Sequence, residues 1–296
     1  MKVSVIVATI HLGGLDVLFH SLDRQTMPKA EWELILVDAN MEQRKEQVED
    51  RRRMDYPGIN LVHIPPKNVS EYFDASTSFN TGASVARGGL VVYMSDFLWA
   101  YPRYLEDHWS LYQNHPGYSM SGFADRFEFP PIANCSQGCC WWSCFRQEFD
   151  VAFAVDWFAS HGPFYQERKF GTSHRIPGKL LFEVPGEYVY FSVNESIPLS
   201  VLKELNGFDE RLNGAYGNND RDLGARANMI GWKWMVNVDS VVCKMGNRQM
   251  AHSMLPGVKK KTIRSVEDNY AIVTQKLQRI AKGEESARTP NGWGIE

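Results

Sequence analysis

The first hundred residues alternate between strand-type and helix-type segments, and this alternation constrains the fold more than any other feature. Four short apolar runs are predicted as strands, at residues 3–8, 32–37, 59–64 and 90–94. Three segments between them have helical spacing or a helix-permissive composition, at residues 12–22, 41–54 and 73–86. Strands that alternate with helices predict an α/β protein, with a parallel sheet that carries helices on both faces.

Polar residues directly after the predicted strands are the first candidates for a site. Thr9 follows the first strand, Asp38 ends the second, and Ser95 and Asp96 follow the fourth. Ligands of open parallel sheets bind beyond the carboxyl ends of the strands. These four positions are therefore the ones most expected to contact a ligand.

Composition and charge exclude several other classes of protein. Of the 296 residues, 44% are hydrophobic and 23% are charged, which is typical of globular proteins and excludes disordered and fibrous chains. The net charge of −3 gives no general positive field for nucleic acid. The longest apolar candidate, residues 90–100, is interrupted by Asp96 and is shorter than the roughly 18 to 20 residues of a transmembrane helix. The N-terminus lacks a signal-peptide cleavage pattern, which predicts a cytoplasmic protein or one peripheral to the cytoplasmic face of a membrane.

Regular patterning breaks down between Gly117 and about Ser192, where aromatic residues, prolines and cysteines dominate. This stretch is interpreted as an irregular insertion. Beyond it, helices are predicted at residues 198–205, 220–230 and 263–281, and a strand at 232–242. Ser196 is expected to mark the start of the first of these helices, and the polar tail from Lys282 is expected to fray.

Six blocks of sequence, taken in their order and spacing, resemble glycosyltransferase family 2. They are residues 4–9 (SVIVAT), 34–38 (LILVD), 80–88 (Asn80-Thr81-Gly82 and Ala86-Arg87-Gly88), 91–96 (VVYMSD), 206–210 (NGFDE) and 219–223 (NDRDL). The resemblance covers about residues 1–114 and 190–245. It implies a GT-A fold, a Rossmann-like and mostly parallel sheet flanked by helices, interrupted here by the aromatic and cysteine-rich insertion.

The resemblance also implies a separate role for each segment of the chain. Residues 1–114 would form the nucleotide-sugar-binding half, and residues 115–192 an insertion on the acceptor side. Residues 193–262 would form the acceptor and catalytic half, followed by a C-terminal helix and tail at 263–296. The implied donor-binding positions are Ala8, Thr9, Asp38, Asn80, Ser95 and Asp96.

The catalytic and metal positions follow from the same resemblance. Asp220 matches the general base of similar inverting enzymes, with Asp222 in support. Asp96 matches the last acid of an Asp-any-Asp motif that holds Mn²⁺ or Mg²⁺, but Met94 stands where the first acid is expected. His252 is the candidate for an additional metal ligand, since imidazole ligates such cations.

Two features of the insertion have alternative interpretations. Zinc binding by the four clustered cysteines is possible but not favoured, because their spacing is not that of paired zinc knuckles; they are Cys135, Cys139, Cys140 and Cys144. Trp141 and Trp142 could stack on an acceptor, although aromatic residues at such spacing are more often part of a core.

The sequence therefore predicts a metal-dependent glycosyltransferase that uses a nucleoside diphosphate-sugar, with UDP the favoured carrier. The acceptor hydroxyl could belong to a glycan, a lipid-linked molecule, a protein or a nucleic acid. A non-catalytic nucleotide- or glycan-binding module of the same fold is the alternative. A nucleotidyltransferase is less favoured, because no Lys or Arg precedes Arg24 after the first strand.

Overall fold

The apolar runs predicted as strands form the parallel half of a sheet in the computed structural model. This structure describes residues 1–10, 15–68, 70–72, 74–96, 98–127, 181–189, 194–245 and 261–296. The strands of this half are β1 (Val3–Thr9), β2 (Trp32–Asp38), β3 (Leu61–Ile64) and β4 (Leu90–Ser95). The helices that accompany them are α1 (Leu15–Asp23), α2 (Met41–Asp55), α3 (Ala75–Val85) and α4 (Tyr104–Asn114).

The order β3-β2-β1-β4 places the ends of the central strands side by side. Thr9 on β1 lies opposite Asp38 on β2, and Ala8 lies opposite Ser95 on β4. The polar residues singled out after the strands therefore share one edge of the sheet, as the doubly wound arrangement requires.

The second half of the sheet mixes parallel and antiparallel strands. It contains β5 (Leu98–Ala100), β6 (Tyr118–Phe127), β7 (Leu181–Val184), β8 (Glu195–Pro198) and β9 (Lys233–Met245). The order continues from β4 as β8-β6-β9-β5, with β7 also paired to β9. Strand β8 runs antiparallel to β4 and joins the two halves, whereas β6 and β9 pair in parallel. Among the described strands, four strand pairs are parallel and four are antiparallel, but the parallel pairs are longer on average and hold most of the paired residues, so the predicted α/β class is confirmed.

Two hydrophobic cores cover the two faces of the sheet. Val3, Val5 and Val7 of β1 pack with α1, α2 and α4, whereas Ile6 packs with the helices on the opposite face. This division follows from the period of two along a strand. The second core includes α3, α5 (Leu199–Glu204) and α6 (Asn219–Met229).

The helix predicted at residues 198–205 begins at Leu199, later than an N-cap at Ser196 would place it. Ser196 lies within β8, opposite Val92 of β4 and Met120 of β6, and does not cap the helix. Pro198 occupies the N-cap position instead, without a side-chain hydrogen bond. The expectation for Ser196 was wrong because sheet pairing competes with capping for the same residue.

The predicted insertion contributes strands at both of its ends. Strands β6 and β7 belong to the stretch in which the sequence shows no periodicity, and residues 128–180 lie outside the described part of the chain. Small side chains obscure the pattern of β6. Ser119 and Ser121 are buried, and a Cβ on Gly122 would collide with Asn194.

The tail after the last helix, α7 (Val266–Ala281), is held by the body of the protein, so the prediction that it frays was wrong. Asn206 donates to the carbonyl of Thr289, and Arg226 donates to that of Ala287. Thr289 is almost fully buried. These partners lie more than 60 residues away in sequence, so local composition does not reveal them. None of the helices in the described ranges is both long and apolar enough to cross a bilayer.

Two adjacent glycines before β4 provide a matched test of this packing. A Cβ on Gly88 would lie 2.4 Å from the Ser4 nitrogen, in the backbone of β1, whereas a Cβ on Gly89 meets nothing closer than 4.0 Å. Gly88→Ala should reduce the free energy of unfolding by about 1–3 kcal/mol, because the backbone of a central strand cannot move aside. Gly89→Ala should change it by less than about 0.5 kcal/mol. Urea unfolding of both variants measures the difference, and equal stabilities would contradict the described register.

Candidate active site

Asp38 is the centre of a buried polar cluster at the end of β2. Its side chain is fully buried, and Arg44 from the first turns of α2 donates to both carboxylate oxygens, with Nε 2.8 Å from Oδ2 and Nη2 2.9 Å from Oδ1. The backbone N–H of Asn40 donates to Oδ1 over 2.8 Å, and His63 Nε2 lies 2.9 Å from Oδ2. The cluster thus joins the end of β2 to α2 and β3.

The charge of Asp38 is stabilised by these partners. Burial alone would raise the pKa of Asp38, but hydrogen bonds from His63 and Arg44, the Arg44 charge and the Asn40 N–H outweigh it and lower the pKa below its usual value. The carboxylate is therefore ionised at neutral pH and forms a buried ion pair with Arg44.

Thr9 connects this cluster to Asp96. The Thr9 hydroxyl donates to Asp96 Oδ2 over 2.5 Å, and Arg44 Nη2 lies 3.3 Å from Thr9 Oγ1. Asp38, Thr9 and Asp96 follow or end three neighbouring strands, so the register of the sheet creates the connection. The structure thus brings these three predicted site residues together.

Met94 belongs to the core and not to this polar edge. It is fully buried in the hydrophobic core that contains α1 and α4. Side chains alternate across a strand, so Ser95 faces the opposite side. The first acidic position of the expected metal motif is thus replaced by a core residue, and Asp96 directly follows the strand.

Asp220 lies in the first turn of α6, which begins after a tight turn. Gly214 and Gly217 have φ values of +90° and +81°, and Asn218 has a φ of +68°. Although the Asp220 side chain is partly exposed, desolvation by the surrounding protein raises its pKa to about 6. The backbone N–H of Arg221, 2.9 Å from Oδ1, offsets part of that increase. A carboxylate of this basicity can accept a proton near neutral pH.

Asp222 has a different environment from Asp220, two residues earlier. It is fully buried and forms ion pairs with Arg226, at 2.7 Å, and with Lys276 of α7, at 2.8 Å. Lys276 also pairs with Asp209 over 2.7 Å. Asp222 therefore anchors α6 to α7, and Lys276 extends this network to Asp209 in the loop after α5.

Asn80 is also engaged within the protein. Its amide nitrogen donates to the Phe208 carbonyl and to Glu210, and its amide oxygen accepts the Phe208 N–H. These bonds fasten α3 to the loop after α5. Asn80 therefore contacts that loop, whereas Thr9, Asp38 and Asp96 form the cluster at the strand ends.

Several predicted site residues lie outside the described part of the chain. They are Trp141, Trp142, His252 and the cysteines at 135, 139, 140 and 144. Among the described residues, no three His, Cys, Asp or Glu side chains come together as a metal site. Asp96 is thus the one residue of the predicted metal site that the structure describes.

Arg44 and His63 contact Asp38 but are not among the site residues predicted from the sequence. His63 lies within β3, one residue before its end, so a search for polar residues that end or follow a strand does not reach it. Arg44 has no local signal either, because one Arg among the many charged residues of α2 is not distinctive. Only the fold shows that it is the one turned inward and buried against Asp38.

Comparisons with models of known families and with curated protein sequences found no match. Solved structures do match. S. aureus TarS superposes with a TM-score of 0.59 at 15% identity, over 94% of this chain and 39% of TarS. TarS 1–349 in complex with UDP-GlcNAc gives a TM-score of 0.56 at 16% identity, over 96% of this chain and 66% of that one.

A second protein with the same fold is the mannosyltransferase PcManGT from Pyrobaculum calidifontis, in complex with GDP-Man and Mn²⁺. It matches with a TM-score of 0.53 at 14% identity, over 85% of this chain and 59% of its own. This chain spans about two fifths of TarS. At such identities the likeness establishes the fold, which is that of the GT-A-type glycosyltransferases.

The Asp38 cluster predicts how stability depends on pH. Because the folded protein lowers the pKa of Asp38, its contribution is present above the unfolded pKa of about 4 and is lost as the pH falls through the folded value. Asp38→Asn leaves the Arg44 charge buried without its partner, so the variant should lose about 3 kcal/mol at pH 7. It should then lose less stability than the wild type between pH 7 and pH 3.

Urea unfolding at several pH values measures this dependence. Asp50→Asn, on the exposed side of the same helix, is the matched control and should change stability by less than about 0.5 kcal/mol. Parallel pH profiles for Asp38→Asn and the wild type would show that the ion pair does not contribute as described.

Proposed function

We propose that this chain is a glycosyltransferase that moves a sugar from a nucleoside diphosphate-sugar, with UDP as the favoured carrier, to an acceptor hydroxyl with inversion. The observation that carries the proposal is that a GT-A-type fold holds carboxylates in two different environments. Asp38 and Asp96 lie at adjacent strand ends joined by Thr9 and Arg44, and Asp220 has a pKa of about 6.

The donor would bind across the carboxyl ends of β1, β2 and β4. In this arrangement the Asp38 cluster serves the nucleoside and Asp96 serves the diphosphate. The Thr9 hydroxyl fixes the orientation of the Asp96 carboxylate, and Ala8 and Ser95 flank it on paired strands. Pre-organisation of this kind lowers the entropy lost when the donor binds.

Asp220 would act as the general base. It accepts the proton of the acceptor hydroxyl as the hydroxyl oxygen forms a bond to the anomeric carbon. The bond between that carbon and the phosphate oxygen breaks, and the nucleoside diphosphate leaves with the electron pair. A single displacement of this kind inverts the anomeric configuration. A base with a pKa of about 6 is largely ionised at pH 7 and still basic enough to be effective.

A divalent cation, Mn²⁺ or Mg²⁺, is part of this proposal. Asp96 would supply one oxygen ligand, which suits a hard cation, and the diphosphate, water and His252 would supply others. When bound, such a cation neutralises negative charge on the leaving diphosphate.

The acceptor side of the proposal is less specific. Trp141 and Trp142 would contribute aromatic surface for stacking on the acceptor, which is a hydroxyl of a glycan, a lipid-linked molecule, a protein or a nucleic acid.

Two substitutions separate catalysis from donor binding. Asp220→Asn should reduce turnover by about 10²- to 10⁴-fold, because it removes the base, and should leave UDP-sugar binding intact. Asp96→Asn should weaken UDP-sugar binding in the presence of Mn²⁺. Nucleoside diphosphate release measures turnover, and the ligand-induced shift in melting temperature measures binding. Wild-type activity should also fall below about pH 6, as Asp220 becomes protonated.

Two results would count against the proposal. Full turnover by Asp220→Asn would remove Asp220 from the mechanism. A wild-type protein that binds UDP-sugars without any turnover would instead support the alternative, a nucleotide-binding module of the same fold without catalysis.

A further inference from the structure

The turn that leads into α6 has an unusual backbone. Gly217 and Asn218 both lie in the left-handed region of φ, where residues other than glycine are uncommon. Asn218 is also the N-cap residue of α6, and its side chain makes no capping hydrogen bond. Contacts from elsewhere in the fold therefore have to hold the turn, and with it Asp220, in place.

Asn269 of α7 provides the central contact. It is fully buried, although its neighbours Asp268 and Tyr270 are exposed. Its Nδ2 donates to the Gly217 carbonyl over 2.9 Å and to the Leu212 carbonyl over 3.3 Å. One amide thus holds both ends of the loop that precedes Asn218.

Two further contacts fasten the same turn to the segment around the start of α7. Asn218 Nδ2 donates to the Val266 carbonyl over 3.1 Å. The Ile263 N–H donates to the Gly214 carbonyl over 2.7 Å. The turn therefore rests on residues 263–269 and not on α6 alone.

The bond to Gly217 acts on Asp220 through one peptide unit. The Gly217 carbonyl and the Asn218 N–H belong to the same planar, trans peptide, so they point in opposite directions. A donor that fixes the carbonyl therefore also fixes the direction of the N–H. Desolvation raises the pKa of Asp220, and hydrogen bonds from the backbone N–H groups of Arg221, Asp220 and Asn218 oppose this increase.

The charged side chains that flank Asp220 on its own helix have partners of their own. Arg221 lies 3.6 Å from Glu187, in the loop after β7. Asp222 pairs with Lys276 of α7 over 2.8 Å. Desolvation and the backbone N–H groups therefore set the basicity of Asp220.

We propose that Asn269 is a positioning residue for the general base, which holds the Gly217–Asn218 peptide and thereby directs the Asp220 carboxylate toward the acceptor hydroxyl. The inference rests on the proposed function and deepens it, because it gives α7 a part in the reaction. In this assignment Asn269 touches neither the donor nor the acceptor and acts only through the turn.

Asn269→Leu tests the proposal, since leucine has a similar size but no side-chain N–H. The kcat should fall by about 10- to 100-fold, because the base is misdirected, and the KM for the donor should be unchanged. The acid limb of the kcat profile, near pH 6 in the wild type, should move to higher pH, because a weaker bond from the Asn218 N–H stabilises the ionised carboxylate less. Nucleoside diphosphate release over a range of pH measures these quantities.

Leu277→Ala is the matched control. Leu277 lies two turns further along α7 and packs with Ala225 of α6. Its truncation should lower the melting temperature by several degrees, at least as much as Asn269→Leu does. It should leave kcat and the acid limb at their wild-type values, because the hydrogen bonds to the turn remain.

A second measurement does not depend on turnover. The pKa of the Asp220 carboxyl can be followed by ¹³C NMR, with the signal identified by its loss in Asp220→Asn. It should be higher in Asn269→Leu than in the wild type by about half a unit or more, and unchanged in Leu277→Ala.

Asn218→Gly is a second, independent variant. Glycine keeps the left-handed backbone but loses the bond to the Val266 carbonyl. The peptide before it is then held less firmly, so kcat should fall and the Asp220 pKa should rise, as in Asn269→Leu. If Asn269→Leu does not fold, this variant decides the question.

The outcomes separate this inference from the function on which it rests. A wild-type kcat and an unchanged Asp220 pKa in Asn269→Leu would overturn the positioning role and leave the glycosyltransferase proposal standing. An equal loss of kcat in Leu277→Ala would overturn it as well, because packing alone would then explain the effect. If the wild type turns over no nucleotide-sugar, the proposed function fails, and the Asp220 pKa still shows whether Asn269 controls this carboxylate.

Discussion

The buried carboxylate of Asp38 is the interaction on which the arrangement of the parallel half of the sheet depends. A charge removed from water must be paired and fully hydrogen-bonded, and Asp38 meets this requirement with groups from three elements. Arg44 comes from α2, His63 from β3 and the Asn40 N–H from the turn between β2 and α2. The position of α2 over the strand ends is thus set by electrostatics as well as by its single buried apolar residue, Val48.

The start of α6 shows how two neighbouring carboxylates acquire different properties. Asp222 is neutralised by Arg226 and Lys276 inside the protein, and these pairs tie the helix to α7 and to the C-terminal tail through Arg226. Asp220 has no such cationic partner among the described residues, and its environment raises the pKa to about 6. The first carboxylate therefore supplies rigidity, and the second has the basicity that the proposed chemistry requires.

The sequence predicted the elements whose patterns are local. The four parallel strands, their alternation with helices and the helix that carries Asp220 are confirmed. The signals for these elements, which are hydrophobic periodicity and glycine-containing turns, lie within or next to the elements themselves. Strand β8, the ordered tail and the burial of Arg44 depend on partners far away in sequence, which local patterns do not contain. The site residues also differ in whether local sequence reveals them. Post-strand position identified Asp38 and Asp96, but only the folded structure shows that Asp38 already has four partners.

Arg44 also links the two ends of the candidate donor site. Its Nη2 lies within 3.3 Å of both Asp38 Oδ1 and Thr9 Oγ1, and Thr9 donates to Asp96. The cluster around Asp38 and the carboxylate of Asp96 thus share one connected set of hydrogen bonds. In such a set each member limits the orientations of the next. The spacing between Asp38 and Asp96 is therefore fixed by the register of three parallel strands, and under the proposed function a donor that fits one end would be positioned at the other.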